Sequence, residues 1–144
     1  MFELVRLSLE AYMLPENARV TATGDPVLLS AREASIMCMV LNELATNAAK
    51  YGALSVPQGR VTIRWSLKPG EEPSTNDVVM EWLERDGPPV EPPLRRGMGT
   101  QLIEESVSYE LRGTVQTEYL PSGVRCSMTF PLMPEHVMSI ASID

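Results

Sequence analysis

The sequence predicts an α+β fold, a two-layer α/β sandwich in which about three helices cover one face of a mixed, mostly antiparallel sheet of about five strands. Two observations lead there. Apolar periodicity changes along the chain in the order helix, hairpin, long helix, two strands, helix, two strands, which is not the strict βαβ alternation of a doubly wound parallel sheet. The 144 residues, 44% apolar and 22% charged, make the length and composition of one globular domain with one core, and they carry no repeat or low-complexity stretch.

Each element has its own signal. Phe2, Val5, Leu9 and Met13 recur near helical spacing until Pro15 stops the pattern. Arg19 to Thr23 alternates with β-branched residues, and Gly24-Asp25-Pro26 reads as a turn leading to a short return strand at Val27–Leu29. Ser30, with Glu33 three residues on, forms a capping box for a helix from Ala31 to about Tyr51. Ala34, Met37, Cys38, Leu41, Leu44, Ala45 and Ala48 supply its buried stripe, and Gly52 ends it. Residues 60–67 and 78–83 alternate as strands around a polar hairpin loop at 68–77. Asp86-Gly87-Pro88-Pro89 and Pro92-Pro93 break regular structure, and Gly97-Met98-Gly99-Thr100 opens a helix from about 100 to 111. Strands at 114–119 and 124–130 follow, joined by Pro121-Ser122-Gly123. Residues 1–133 read as the domain and 134–144 as a loose tail.

Composition excludes several functions. A net charge of −7 and a pI near 4.7 argue against broad electrostatic binding to nucleic acid or an anionic membrane. An anionic ligand needs local cations here. Cys38 and Cys126 form no CxxC pair and read as small core residues of a reduced compartment. A single histidine, His136, excludes a histidine-based metal cluster or triad. Without a run of roughly 20 apolar residues or a signal peptide, the expected location is the cytoplasm.

Three segments carry candidate chemistry. Glu43, Asn47 and Lys50 stand at i, i+4 and i+7, one line on one helix face. An amide oxygen can complete a magnesium shell supplied mainly by phosphates and water, a carboxylate can orient or deprotonate an attacking group, and a lysine can neutralise phosphate. In Trp82-Leu83-Glu84-Arg85-Asp86-Gly87, an acid at the end of an apolar strand can accept from an adenine amino group in a dry pocket. In Arg95-Arg96-Gly97-Met98-Gly99-Thr100, two glycines before a helix N-terminus leave backbone N–H groups open to an anion, with two arginines beside them. Taken singly, each is also an ordinary solvated face, strand end or loop-to-helix junction.

Their order and spacing resemble the N, G1 and G2 boxes of the ATP-binding superfamily shared by gyrase, Hsp90 and sensor histidine kinases. More narrowly, ELATNAAKYGALS (43–55), WLERDGPPV (82–90) and RRGMGTQLIEESV (95–107) are similar to the catalytic domain of HWE-type bacterial sensor histidine kinases, from about residue 4 to Leu132. The resemblance implies a Bergerat-type fold holding ATP and Mg2+. By it, Asn47 is the metal ligand and Glu43 the acidic, catalytic residue of the N box that supports phosphoryl transfer, with Lys50 and Tyr51 at its phosphate and nucleotide end. Glu84 stands at the adenine-reading position, with Asp86 as competitor and Gly87 following. Gly97, Gly99 and Thr100 match the phosphate loop, flanked by Arg95, Arg96 and Met98.

The implied partners are a histidine-bearing dimerisation domain preceding residue 1 and a downstream response regulator, with no nucleic-acid or membrane contact. The implied activity is transfer of the ATP γ-phosphoryl group to that histidine. The chain departs from the pattern at Asn42, where the group has histidine, at Asp86, where glycine is usual, at Met98 for Phe, and at Arg112 for a Gly-Gly pair. Two alternatives stay open: a docking module of the same fold that has lost the nucleotide, and a serine kinase of the anti-sigma type.

Overall fold

The computed structural model describes residues 1–93 and 97–132. Arg95, Arg96 and His136 lie outside the described residues, as does the tail expected at 134–144. Helix α1 (Phe2–Met13) is followed by strand β1 (Val20–Gly24), helix α2 (Ala31–Lys50), strands β2 (Arg60–Pro69) and β3 (Asn76–Arg85), helix α3 (Met98–Glu105), and strands β4 (Thr114–Leu120) and β5 (Gly123–Pro131). The sheet order is β1-β2-β3-β5-β4; β1 runs parallel to β2 and all other pairs are antiparallel.

Strand register explains why one face is covered and the other wet. Ile63, Trp82 and Cys126 stand side by side across β2, β3 and β5, and so do Trp65, Met80 and Met128. With a side-chain period of two, this row is all apolar and buried, while the next residues along, Arg64, Glu81 and Ser127, face away. Val5 and Leu9 of α1, Met37, Val40, Leu41, Leu44 and Ala48 of α2, and Ile103 of α3 close the core from the helical side. Of the stripe expected on α2, Ala34, Cys38 and Ala45 are half-buried, and Val40 and Glu33 are buried in addition.

The expected return strand at Val27–Leu29 does not form. Asp25 is fastened to β2 instead: its carboxylate accepts from the Leu67 N–H at 2.8 Å, and its carbonyl accepts from Trp65 Nε1 at 2.8 Å. The chain then runs directly into the Ser30 cap, so β1 joins β2 as a parallel neighbour through α2 rather than folding back on itself. The capping box is present, with Ser30 Oγ accepting from the Glu33 N–H at 3.2 Å and Glu33 Oε2 from the Ser30 N–H at 2.8 Å.

The third helix also differs from expectation. It starts at Met98 with Gly97 as its N-cap, and after Glu105 it widens into a π turn over Ser106–Glu110, closed by the Leu111 N–H on the Ser106 carbonyl at 3.1 Å. The widening keeps Val107 and Leu111 on the buried stripe begun by Ile103.

Candidate nucleotide site

Glu43 and Asn47 sit half-buried on α2, with Lys50 exposed one turn on. The first turn of α3 rests against the two half-buried residues. A Cβ added at Gly99 would lie 2.5 Å from Glu43 Oε2 and 3.8 Å from Asn47 Oδ1, so glycine lets the helix N-terminus approach without displacing the end of the Glu43 side chain. A cavity of about 420 Å³ opens beside the contact, lined by Glu43, Met98, Gly99, Gln101, Leu102 and Glu105. The N-terminal N–H groups of α3 and its dipole make this end of the cavity favourable for negative charge. Met98 is 90% exposed and Thr100 half-buried at the same helix start.

Glu84 lies deep beside the turn that follows the C-terminus of α2. The residue is 4% exposed; its Oε1 accepts from Trp82 Nε1 at 3.0 Å and Oε2 from the Ala53 N–H at 3.0 Å. Burial pushes its pKa up, and the two hydrogen bonds oppose that rise. Ala53 itself is the hub of close packing: side chains at Gly52, Gly59 or Gly87 would run into Glu84 Oε2, the Ala53 carbonyl or the Ala53 Cα. The N-box helix end, the start of β2 and the G1 turn therefore meet at one point. Each carboxylate oxygen, with one donor already, keeps a second lone pair for a ligand.

The structure thus brings Glu43, Asn47 and Gly99 together on the C-terminal half of α2, and Glu84, Gly52, Ala53 and Gly87 together just past its C-terminus. Tyr51, 77% exposed, and Lys50 close the helix between them. Asp86 is exposed on the G1 turn. Asn42 is exposed too and donates to Cys38 Sγ at 3.7 Å.

Nucleotide and metal fit this donor set in a specific way. Among the described residues no group of three or more His, Cys, Asp or Glu could cage a metal. One amide oxygen, Asn47 Oδ1, faces a helix N-terminus kept open by Gly99, which suits a magnesium ion whose remaining ligands are phosphate and water. Residue-by-residue reading missed the Ala53 N–H and the indole of Trp82, because a backbone donor and a core tryptophan leave no chemical mark in sequence. The glycines at 52, 59 and 87 are the signal that was present.

No protein-family model matches the chain. It is 39% identical over 119 residues, 79% of its length, to the blue-light-activated histidine kinase 1 of Erythrobacter litoralis. It is 35% identical over 117 residues, 81% of its length, to the blue-light-activated histidine kinase of Brucella ovis. The chain spans 31% and 24% of the lengths of those relatives. Among solved structures, the histidine kinase domain of the Erythrobacter litoralis EL346 blue-light activated histidine kinase aligns over 90% of this chain and 59% of its own, with a TM-score of 0.68 at 18% identity. The nucleotide-free catalytic domain of histidine kinase ThkA aligns over 93% and 94%, with a TM-score of 0.64 at 19% identity. With the three boxes in order on this fold, the chain has the fold of histidine kinase catalytic domains and is similar in sequence to histidine kinases over about four fifths of its length.

Proposed function

We propose that this domain binds Mg-ATP in the cleft between α2 and α3 and passes the γ-phosphoryl group to a histidine carried by a separate dimerisation domain. The observation that carries the reading is the seating of the Gly99 end of α3 on Glu43 and Asn47. A carboxylate, an amide oxygen and a helix N-terminus thereby stand close together, which supports a phosphate-and-metal site there. Asn47 holds the nucleotide's magnesium, which supplies charge neutralisation at the phosphates. Glu43 takes or orients the proton of the attacking imidazole while the bond from the γ-phosphorus to the β–γ bridging oxygen breaks and ADP departs with those electrons. Lys50 and the two arginines at 95 and 96 add cations to a chain of net charge −7. Glu84 accepts from the adenine amino group, Tyr51, Asp86 and Gly87 border the base and sugar, and Gly97, Met98 and Thr100 shape the phosphate end.

A response regulator is the expected next acceptor. ThkA has been solved in complex with the response regulator TrrA, and this chain aligns with 41% of that kinase chain at a TM-score of 0.64. The domain works in the cytoplasm in this reading; no helix among the described residues is long and apolar enough to cross a membrane.

The decisive measurement is thermal shift with ADP or ATP, with and without magnesium. At 100 times Kd, binding raises stability by about 2.7 kcal/mol, a shift of about 9 °C for a domain of this length. Asn47→Ala is expected to remove the magnesium-dependent part while leaving the ligand-free melting temperature near wild type. No shift at millimolar nucleotide would favour the docking-module alternative. Phosphoserine rather than phosphohistidine on a substrate protein would favour the anti-sigma type.

A further inference from the structure

We propose that Arg19 is a positioning residue of the nucleotide site, acting through the turn at Ala53–Ser55 on Glu84; the proposal rests on the nucleotide reading above. Arg19 lies just before β1, with no place in any of the three boxes. Its main chain ties three elements: its N–H donates to the Tyr12 carbonyl at 2.8 Å and the Asn17 carbonyl at 2.8 Å, and its carbonyl accepts from the Val61 N–H at 2.9 Å. Its guanidinium stands 5.6 Å over the Tyr12 ring, with Nε donating to Asn17 Oδ1 at 3.0 Å. Nη1 reaches out from this anchor to the turn after α2, donating to the Val56 carbonyl at 2.7 Å and more weakly to the Leu54 carbonyl at 3.5 Å.

Those two carbonyls belong to the short segment whose first residue, Ala53, gives its N–H to Glu84. A cleft of about 630 Å³ lies between Pro15–Arg19 and residues 54–57, and the guanidinium bridges it. Arg60, which lines the same cleft, holds the following residues through the Pro57 carbonyl at 3.1 Å and the Gly59 carbonyl at 2.9 Å. Among the described residues no carboxylate pairs with Arg19 or Arg60. Both guanidinium groups donate to backbone carbonyls of this loop, so the position of Ala53, and with it the orientation of the Glu84 carboxylate, depends on a planar donor held against Tyr12 and Asn17 just before β1. A guanidinium suits this task better than an ammonium, because its donors are rigidly arranged and can serve Asn17 and Val56 at once.

The test compares calorimetric Kd values for ADP and inosine diphosphate, which carries an oxygen where adenine has its amino group. Wild type, Arg19→Met and Arg19→Lys are measured at a temperature where each is folded, alongside hydrogen exchange at the Ala53 amide. Wild type is expected to prefer ADP. In Arg19→Met the preference should fall about tenfold, the size of one charge-assisted hydrogen bond, with faster Ala53 exchange. Arg19→Lys should retain part of both. A folded Arg19→Met with the wild-type preference and wild-type Ala53 protection overturns the proposal. So does a wild type that binds both nucleotides equally. Should Arg19→Met fail to fold, Arg19→Lys decides by the same two readouts. A wild type that binds neither nucleotide instead overturns the nucleotide reading, and Ala53 exchange still tests the link from Arg19.

Discussion

Asp86 and Arg112 both take left-handed backbone, with φ of 57° and 55°. These are two of the positions where the resembled family has glycine. Their departure from its pattern therefore has a backbone cost, about 1–2 kcal/mol for a side chain in this region and less for aspartate, whose short polar group tolerates it. Arg112→Gly is expected to stabilise the domain by about 0.5–1 kcal/mol after the added freedom of the unfolded chain is counted, and Asp86→Gly by less; urea denaturation measures both. Glu84 offers a pH test. Its folded pKa lies above the ordinary 4.5 because of burial, so the folded state binds the proton more tightly than the unfolded chain. The stability it contributes is complete below pH 4.5 and is lost as pH rises through the folded value. The melting-temperature difference between wild type and Glu84→Gln should accordingly move against wild type across that window. A pH-independent difference would contradict the burial argument.

At the scale of elements, α2 and α3 define the site. The Ser30–Glu33 box starts α2 and is itself buried, so Ser30→Ala should cost at least about 1 kcal/mol, read as a drop in the denaturation midpoint. At the other helix, Gly99→Ala introduces a methyl against the flexible end of Glu43. The domain can absorb this by moving that side chain, so stability should stay within about 1 kcal/mol of wild type. Nucleotide affinity is the quantity expected to fall, by calorimetry, because in the proposed site the moved carboxylate and the helix start would both border the phosphates.

Over the whole molecule, the two faces of one sheet should respond very differently to truncation. Arg125 pairs with Glu81 at 2.6 Å on the outer face, with the two side chains 44% and 27% exposed. Arg125→Ala should cost under about 1 kcal/mol, since water already screens the pair. Met80, one residue away from Glu81 and fully buried, belongs to the row that closes the core, and Met80→Ala should cost about 3 kcal/mol. Comparable losses for the two variants would mean that the sheet is not covered on one face only.

Much of this architecture was legible in the chain because it depends on short-range rules. Alternation at 60–67 and 78–83 marks strands, the Ser30–Glu33 spacing marks a helix start, and Glu43, Asn47 and Lys50 share a face by helical geometry alone. Pairing is not a short-range property. Asp25 binding Leu67 and Trp65 turned an expected hairpin into a parallel β1–β2 pair, and nothing local to Gly24-Asp25-Pro26 reveals partners 40 residues on. The same limit hid the role of the turn after α2. The sequence by itself determined which residue types could serve a phosphate and a base, since that follows from side-chain chemistry and spacing. Only the tertiary structure decided that Gly99 rests on Glu43 and that Glu84 is held by Ala53 and Trp82, because those contacts exist only where separate elements pack.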